Sequence, residues 1–251
     1  MAAGHVYMGG GTRVQKAVGV EDSAEDMFTY LVMNTLEPDE AKIRLYCEES
    51  VNHFDWLVEQ GVPFKDTMYQ GKHVLQMTDE CLIWSGNEEA YPFREKARPA
   101  PRGHKVAQVG ELGGAKMMEC LFARAEALGV RVVCDAQVNQ IVRDGARIVG
   151  VGYRVFGEDR GHVRGRKGVI LATGQFTQND EMLAQYLPQL LDERYSRQFT
   201  PNDDGAGHLL GEQAGGVLQH MEGALVTSPF YPPESHIKGI LVNKEGRRYV
   251  A

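Results

Sequence analysis

The sequence predicts an α/β protein in which helices, a three-stranded antiparallel meander and one buried parallel strand follow one another in that order. Three observations carry this. Apolar residues recur at helical spacing from about Met27 to Val58 and from about Ala115 to Leu128, three β-rich runs divided by turn residues lie between 138 and 163, and the run Gly168-Val169-Ile170-Leu171-Ala172-Thr173-Gly174 is apolar without alternation. With 251 residues, 43% of them apolar, the chain is long enough to bury a sizeable core, which excludes disordered and mini-protein classes.

The chain opens on a glycine-rich loop, Gly4-His5-Val6-Tyr7-Met8-Gly9-Gly10-Gly11-Thr12. Asp22-x-x-Glu25 reads as a capping box ahead of Met27, Tyr30 and Leu31. Pro38 then opens a longer helix whose apolar face carries Ile43, Cys47, Val51, Phe54, Leu57 and Val58, with Gly61 ending it before Pro63. Residues 62 to 110 read as irregular, with Trp84, Tyr91 and Phe93 and a Pro-rich run; so long a stretch inside a compact domain points to function or an interface. A helix from about Ala115 stops at Gly129 and feeds the β-rich run Val130-Arg131-Val132-Val133-Cys134.

The meander is the most legible part. Strands through Val138 to Val142, Ile148 to Phe156 and Val163 are joined by Asp144-Gly145 and Gly157-Glu158-Asp159 turns, and the apolar run to Gly174 follows. Asn179 caps a helix ending at Pro188, a Gly-rich helix follows Asp204-Gly205, and Gly239 to Val250 reads as strand, tight turn and strand.

Composition removes several classes of function. A net charge of −7 argues against a phosphate-backbone partner, so no nucleic-acid ligand is expected. No stretch approaches the ~18 apolar residues of a membrane span, and the first thirty residues lack a basic region followed by an apolar run, which predicts a soluble, cytoplasmic chain. The four cysteines (Cys47, Cys81, Cys120, Cys134) form no C-x-x-C pair and are expected as buried free thiols. The eight histidines include no H-x-x-x-H pair, and no metal is expected. G-x-S-x-G and G-x-G-x-x-G are both absent.

The 29 glycines exceed the average share of about 7% and cluster in loops. Ala172-Thr173-Gly174 ends a strand with backbone N–H groups and no bulky side chain, the sheet edge at which doubly wound folds bind ligands. The plain alternative is a strand end followed by a turn. Free N–H groups at Gly9-Gly10-Gly11-Thr12 could cradle a phosphate or an aromatic ring, against a flexible loop near a terminus.

Four segments in this order resemble the FAD-dependent oxidoreductase family of fumarate reductase and the 3-ketosteroid dehydrogenases, most closely the ketosteroid dehydrogenase-like branch. They are Ala3-Gly4-His5-Val6-Tyr7-Met8-Gly9-Gly10-Gly11-Thr12, Ser85-Gly86 with Ala90-Tyr91-Pro92-Phe93, Val169 to Gly174 with Phe176 and Asn179, and Ile240-Leu241-Val242-Asn243 with Gly246, Arg248 and Tyr249. The resemblance implies FAD as cofactor and a partial glutathione-reductase-like FAD-binding domain over residues 1–176, followed over 177–251 by the beginning of an α+β capping, substrate-binding domain. It also implies that Ala3, Gly4 and His5 touch flavin and pyrophosphate, with Gly10, Gly11 and Thr12 in the same loop. Val138 would present a backbone group to the adenine edge, and Ala172, Thr173 and Gly174 would lie by the ADP half. Here His5 and Gln175 stand where the family usually has glycine.

The activity implied is oxidation or reduction of a C–C bond next to a carbonyl, by hydride transfer to or from flavin N5 on a small apolar, steroid-like substrate. Tyr231, in Thr227-Ser228-Pro229-Phe230-Tyr231-Pro232-Pro233, is the candidate proton-transfer group where the fumarate reductase branch has His-Pro-Thr-Leu; its plain alternative is a packed aromatic. Two segments of the family, an opening βαβ unit with G-x-G-x-x-G and a closing Gly-rich helix, are outside these 251 residues. The chain could therefore be a non-catalytic fragment or split subunit that needs a partner chain to bind FAD.

Overall fold

The computed structural model describes residues 4–71, 76–155, 160–197, 200, 202–225, 240 and 242–248. Two compact units divide the chain, one of residues 1–131 with 229–251 and the other of residues 132–228.

The first unit is built on a small antiparallel sheet in the order β1 (His5–Tyr7), β3 (Gly103–Lys105), β2 (Leu82–Ile83). His5 pairs with Lys105, Val6 with His104 and Tyr7 with Gly103. Side chains alternate across such a ladder. Val6 and His104 thus share one face, over Phe54, Phe64 and Leu57 in a core closed by Met8, Val14, Val62, Cys81, Leu82 and Val106. His5, Tyr7 and Lys105 share the other. Residues 5–7, read from sequence as loop, are strand because Gly103–Lys105 supplies the partner.

Five helices belong to the same unit. In α1 (Arg13–Ala17), Thr12 caps the N-terminus through a reciprocal capping box with Gln15. Ser23, one residue beyond the expected Asp22, caps α2 (Ala24–Met33), its hydroxyl accepting from Asp26 N–H. Asp22 is drawn into the interior instead. The helix expected from Pro38 to Gly61 is two, α3 (Glu40–Glu48) and α4 (Ser50–Glu59), broken at Glu49. The break seats the buried Ser50 hydroxyl, which accepts the Gly9 N–H at 2.9 Å. Gly61, at φ +89°, ends the pair as expected. Helix α5 (Gly113–Ala127) stops before Gly129, also as expected, and packs Met117, Cys120 and Leu121 against the core.

The second unit holds an antiparallel three-stranded sheet of β4 (Ala136–Asp144), β5 (Arg147–Val155) and β6 (Arg160–Arg164) in sequence order. Its pairing shifts between Val138 and Gln140, leaving Asn139 as a bulge residue. Then come α6 (Asp180–Tyr186), capped by Asn179, a 3-10 turn from Pro188, and α7 (Ala206–Gln213). Two expected strands differ. Val130 to Cys134 and Val169 to Gly174 form no ladder among the described residues, and Ile170 is 93% exposed. A parallel strand needs neighbours on its edges to bind its N–H and C=O groups, and no described strand lies beside either run. At the chain's end, an Asn243 to Gly246 turn and a Val242–Arg248 bridge match the expected strand–turn–strand, whose remaining residues lie outside the described ones. No described helix is long and apolar enough to cross a membrane. Of the thiols, Cys47 and Cys81 are buried, Cys120 is half-buried and Cys134 is exposed.

His104 gives the first unit a pH-dependent core. Its Nδ1 lies 3.0 Å from Arg102 C=O and can only donate to it, so Nε2, 2.9 Å away, accepts from the Thr12 hydroxyl. Burial holds this imidazole at a pKa of about 4, below the ordinary 6.5. Between these values the unfolded chain takes a proton that the native one refuses, so stability falls as pH drops from 6.5 towards 4, by on the order of 3 kcal/mol. Urea midpoints at pH 7 and 4.5 should show this loss in the natural chain, and His104→Gln should shrink it.

Candidate functional site

In the first unit the glycine-rich loop is organised by a buried carboxylate. Asp22 and Arg102, both with fully buried side chains, form a bidentate pair, Nη2 to Oδ1 at 2.7 Å and Nε to Oδ2 at 3.0 Å. Asp22 Oδ2 also accepts Gly10 N–H and Gln15 Nε2–H, each at 2.9 Å, while Gln15 Oε1 accepts the N–H groups of Gly11 and Thr12 at 3.0 Å. The amides from Gly9 to Thr12 are therefore all engaged by side chains. They are not the free N–H groups that a phosphate cradle at Gly10, Gly11 and Thr12 requires; the protein's own carboxylate and amide oxygens occupy that role.

Gly4 and His5 are arranged differently. Gly4 sits at φ +76°, its carbonyl accepting from Val106 N–H at 3.0 Å. A Cβ there would come 2.3 Å from the carbonyl carbon of Gly113, at the start of α5. Only glycine meets both conditions. His5 follows with its Nε2 buried and without a hydrogen-bond partner, and burial, with the charge of Lys105, lowers its pKa. Ala3 lies outside the described residues.

On the same face, Tyr7 donates its hydroxyl to Glu88 Oε1 at 3.0 Å, and Tyr30 donates to Asn87 Oδ1 at 2.5 Å. Burial, reinforced by the Glu88 charge, drives the Tyr7 phenol far above its ordinary range, so it serves as a fixed donor. These two phenols anchor the Trp84 to Phe93 loop, which keeps Tyr91 at its exposed end.

In the second unit, Ala172, Thr173 and Gly174 are exposed and their backbone groups make no hydrogen bond to other described residues. Gly174 has φ +80°, and a Cβ on it would lie 2.7 Å from Asp203 Oδ1. Asp203 accepts from Thr200 N–H at 2.6 Å and Gln175 Nε2–H at 3.2 Å, and the Thr200 amide leads in holding its carboxyl below the usual range. Asn179 Nδ2 donates to Asp204 C=O, and Thr173 packs so closely on Gly207 that a Cβ there would meet its Oγ1 at 1.8 Å. Sequence reading passed over Asp203; its only signal was the aspartate pair before a glycine-rich helix. Val138 is half-buried beside the β4 bulge. Tyr231 lies outside the described residues. Among the described residues no cluster of His, Cys, Asp or Glu could hold a metal ion.

In the first unit the orphaned buried Nε2 of His5, and in the second the exposed backbone at Gly174, each fit a polar ligand of the nucleotide cofactor class. The FAD binding domain family model matches residues 4–251, and the chain belongs to that family. It is 26% identical to a 3-oxo-5-alpha-steroid 4-dehydrogenase of Comamonas testosteroni, over 90% of this chain and 50% of that protein. To a probable fumarate reductase of Shewanella frigidimarina it is 24% identical, over 96% of the chain and 38% of the relative. The crystal structure of 3-ketosteroid-delta4-(5alpha)-dehydrogenase from Rhodococcus jostii RHA1 with 4-androstene-3,17-dione superposes with a TM-score of 0.87 at 40% identity, covering 99% of this chain and 52% of that one. An open flavocytochrome c3 fumarate reductase, at TM-score 0.62 and 21% identity over 85% of this chain and 33% of that one, shares the fold. The chain thus spans about half the length of the first two dehydrogenases named.

Removing one charge of the buried pair should be severe. Asp22→Asn leaves Arg102 uncompensated and should cost about 3–5 kcal/mol by chemical denaturation, whereas Asp22→Leu with Arg102→Met should recover much of that loss.

Proposed function

We propose that this chain is the flavin-binding part of an FAD-dependent dehydrogenase of the ketosteroid class, acting on a C–C bond next to a carbonyl in a small apolar, steroid-like substrate. The observation that carries the proposal is the 40% identity and TM-score of 0.87 to a steroid-complexed dehydrogenase over nearly the whole chain. The glutathione-reductase-like arrangement and a capping domain beginning near residue 177 belong to the same proposal.

FAD, when bound, supplies the hydride acceptor or donor at N5. Gly4 and His5 would hold it at the first unit's sheet, His5 through its unpartnered Nε2. Ala172, Thr173, Gly174 and the Val138 backbone would hold its ADP half. Asp203 fixes the turn after Gly174 so that the exposed amides keep their direction. The Trp84 to Phe93 loop, braced by Tyr7 and Tyr30, offers an apolar wall to substrate, and Tyr231 would move the proton at substrate carbon.

The exposure of Ile170 and Leu171, and of Val130, Val132 and Val133, favours a second reading of the isolated chain. As a non-catalytic fragment or split subunit, it would bind FAD only once further family segments cover these runs. A visible spectrum of the purified 251-residue chain decides between the two: a stoichiometric yellow flavin removes the fragment reading, and a protein left colourless by added FAD removes autonomous activity.

In flavin-loaded protein, Gly174→Val should abolish flavin retention with far-UV circular dichroism unchanged, and retained flavin would take Gly174 out of the site; Gly4→Val, whose side chain would meet the Gly113 backbone, should instead lower the chain's stability. Tyr231→Phe should slow turnover at least tenfold with flavin still bound, and an unaltered rate would place the proton donor elsewhere.

A further inference from the structure

Lys105 is completely buried. Its ammonium donates to two neutral carbonyls, Thr78 C=O at 2.6 Å and Gln108 C=O, and no carboxylate of the described residues lies within ion-pair distance. The acids nearby act elsewhere: Asp79 pairs with Lys65, and Glu80 accepts from Gln76. The Cys81 thiol is also near, and buried. A buried cation without a counter-charge is costly.

The antiparallel register sets Lys105 directly opposite His5, so their side chains leave the sheet on one face. His5 carries the buried, unpartnered Nε2. One strand pair therefore presents a spare hydrogen-bonding nitrogen backed by an unpaired positive charge.

We propose that His5 and Lys105 form an electropositive patch that stabilises negative charge on the bound flavin, favouring its anionic reduced form. This rests on the flavin reading above. A hydride delivered to N5 from a substrate C–H leaves one negative charge on the flavin ring system; His5 Nε2–H would hydrogen-bond that ring edge while Lys105 supplies the field from behind. A cation in a low-dielectric site acts on such a charge more strongly than one in water.

The test uses the full flavin-loaded chain and two readouts besides turnover: the flavin reduction potential by dye equilibration, and the dissociation constant of the sulfite adduct at flavin N5, which carries the same negative charge. Lys105→Met and His5→Gln should each weaken sulfite binding about tenfold and lower the potential by about 30 mV, the two-electron equivalent of that factor. Lys65→Met, removing an exposed charge, should change neither. If both Lys105→Met and His5→Gln keep the natural potential and sulfite affinity, the inference is overturned while the flavin reading stands. A natural chain that takes up no added FAD, either alone or with further family segments supplied, overturns both. Should Lys105→Met fail to fold, His5→Gln decides by the same two measurements.

Discussion

The buried Asp22–Arg102 pair is the constraint on which the first unit depends. Two opposite charges with no solvent contact gain little net stability over an apolar pair, because desolvation offsets most of their attraction. What they gain is direction. One carboxylate of Asp22 receives the guanidinium, the Gly10 amide and the Gln15 side chain, and Gln15 in turn gathers Gly11 and Thr12. Arg102 C=O then accepts the Met8 amide at 2.9 Å and the Nδ1–H of His104, tying the loop to β3 and so to β1. Segments 80 residues apart in sequence are thereby held together by side-chain and backbone hydrogen bonds.

That kind of constraint explains what could and could not be read beforehand. Signals confined to a few residues were legible: the Asn179 cap, the helix stops at Gly61 and Gly129, and the Asp144-Gly145 turn each act through neighbours in sequence. The sheet β1–β3–β2 was not, because its strands are two or three residues long and β1 pairs with residues of β3 far along the chain, His5 with Lys105. Asp22 offered a good local cap, yet a buried arginine outbid the helix for it, and the cap passed to Ser23. The unbroken apolar face from Ile43 to Val58 gave no sign of the break at Glu49, since its cause is the Gly9 amide waiting for Ser50. The run to Gly174 looked like a buried strand because its composition suits one; whether it becomes one depends on neighbours that composition does not reveal.

The glycines divide by physical role rather than by motif. At Gly10 and Gly11 the backbone is consumed by internal side chains, so these residues shape a loop. At Gly4 and Gly174 positive φ and a crowded Cβ position exclude any side chain. At Gly174 the backbone is moreover exposed to whatever approaches. Sequence spacing treats the two groups alike, and hydrogen-bond accounting separates them.

Both units use one device beside their bare glycine. An aspartate gathers the amides of a neighbouring turn: Asp22 for Gly10 in the first, Asp203 for Thr200 in the second, with Gln175 donating its side-chain amide to Asp203 as Gln15 does to Asp22. Satisfying those donors internally has a consequence for the ligand. Anionic groups of a cofactor lose the loop amides as partners and must find positive character elsewhere. In the first unit the His5–Lys105 strand pair holds a nitrogen without a hydrogen-bond partner and an ammonium without an ion pair, while every amide from Gly9 to Thr12 is used. The carboxylate that fixes the loop and the lysine that lacks a carboxylate are thus two sides of one electrostatic arrangement.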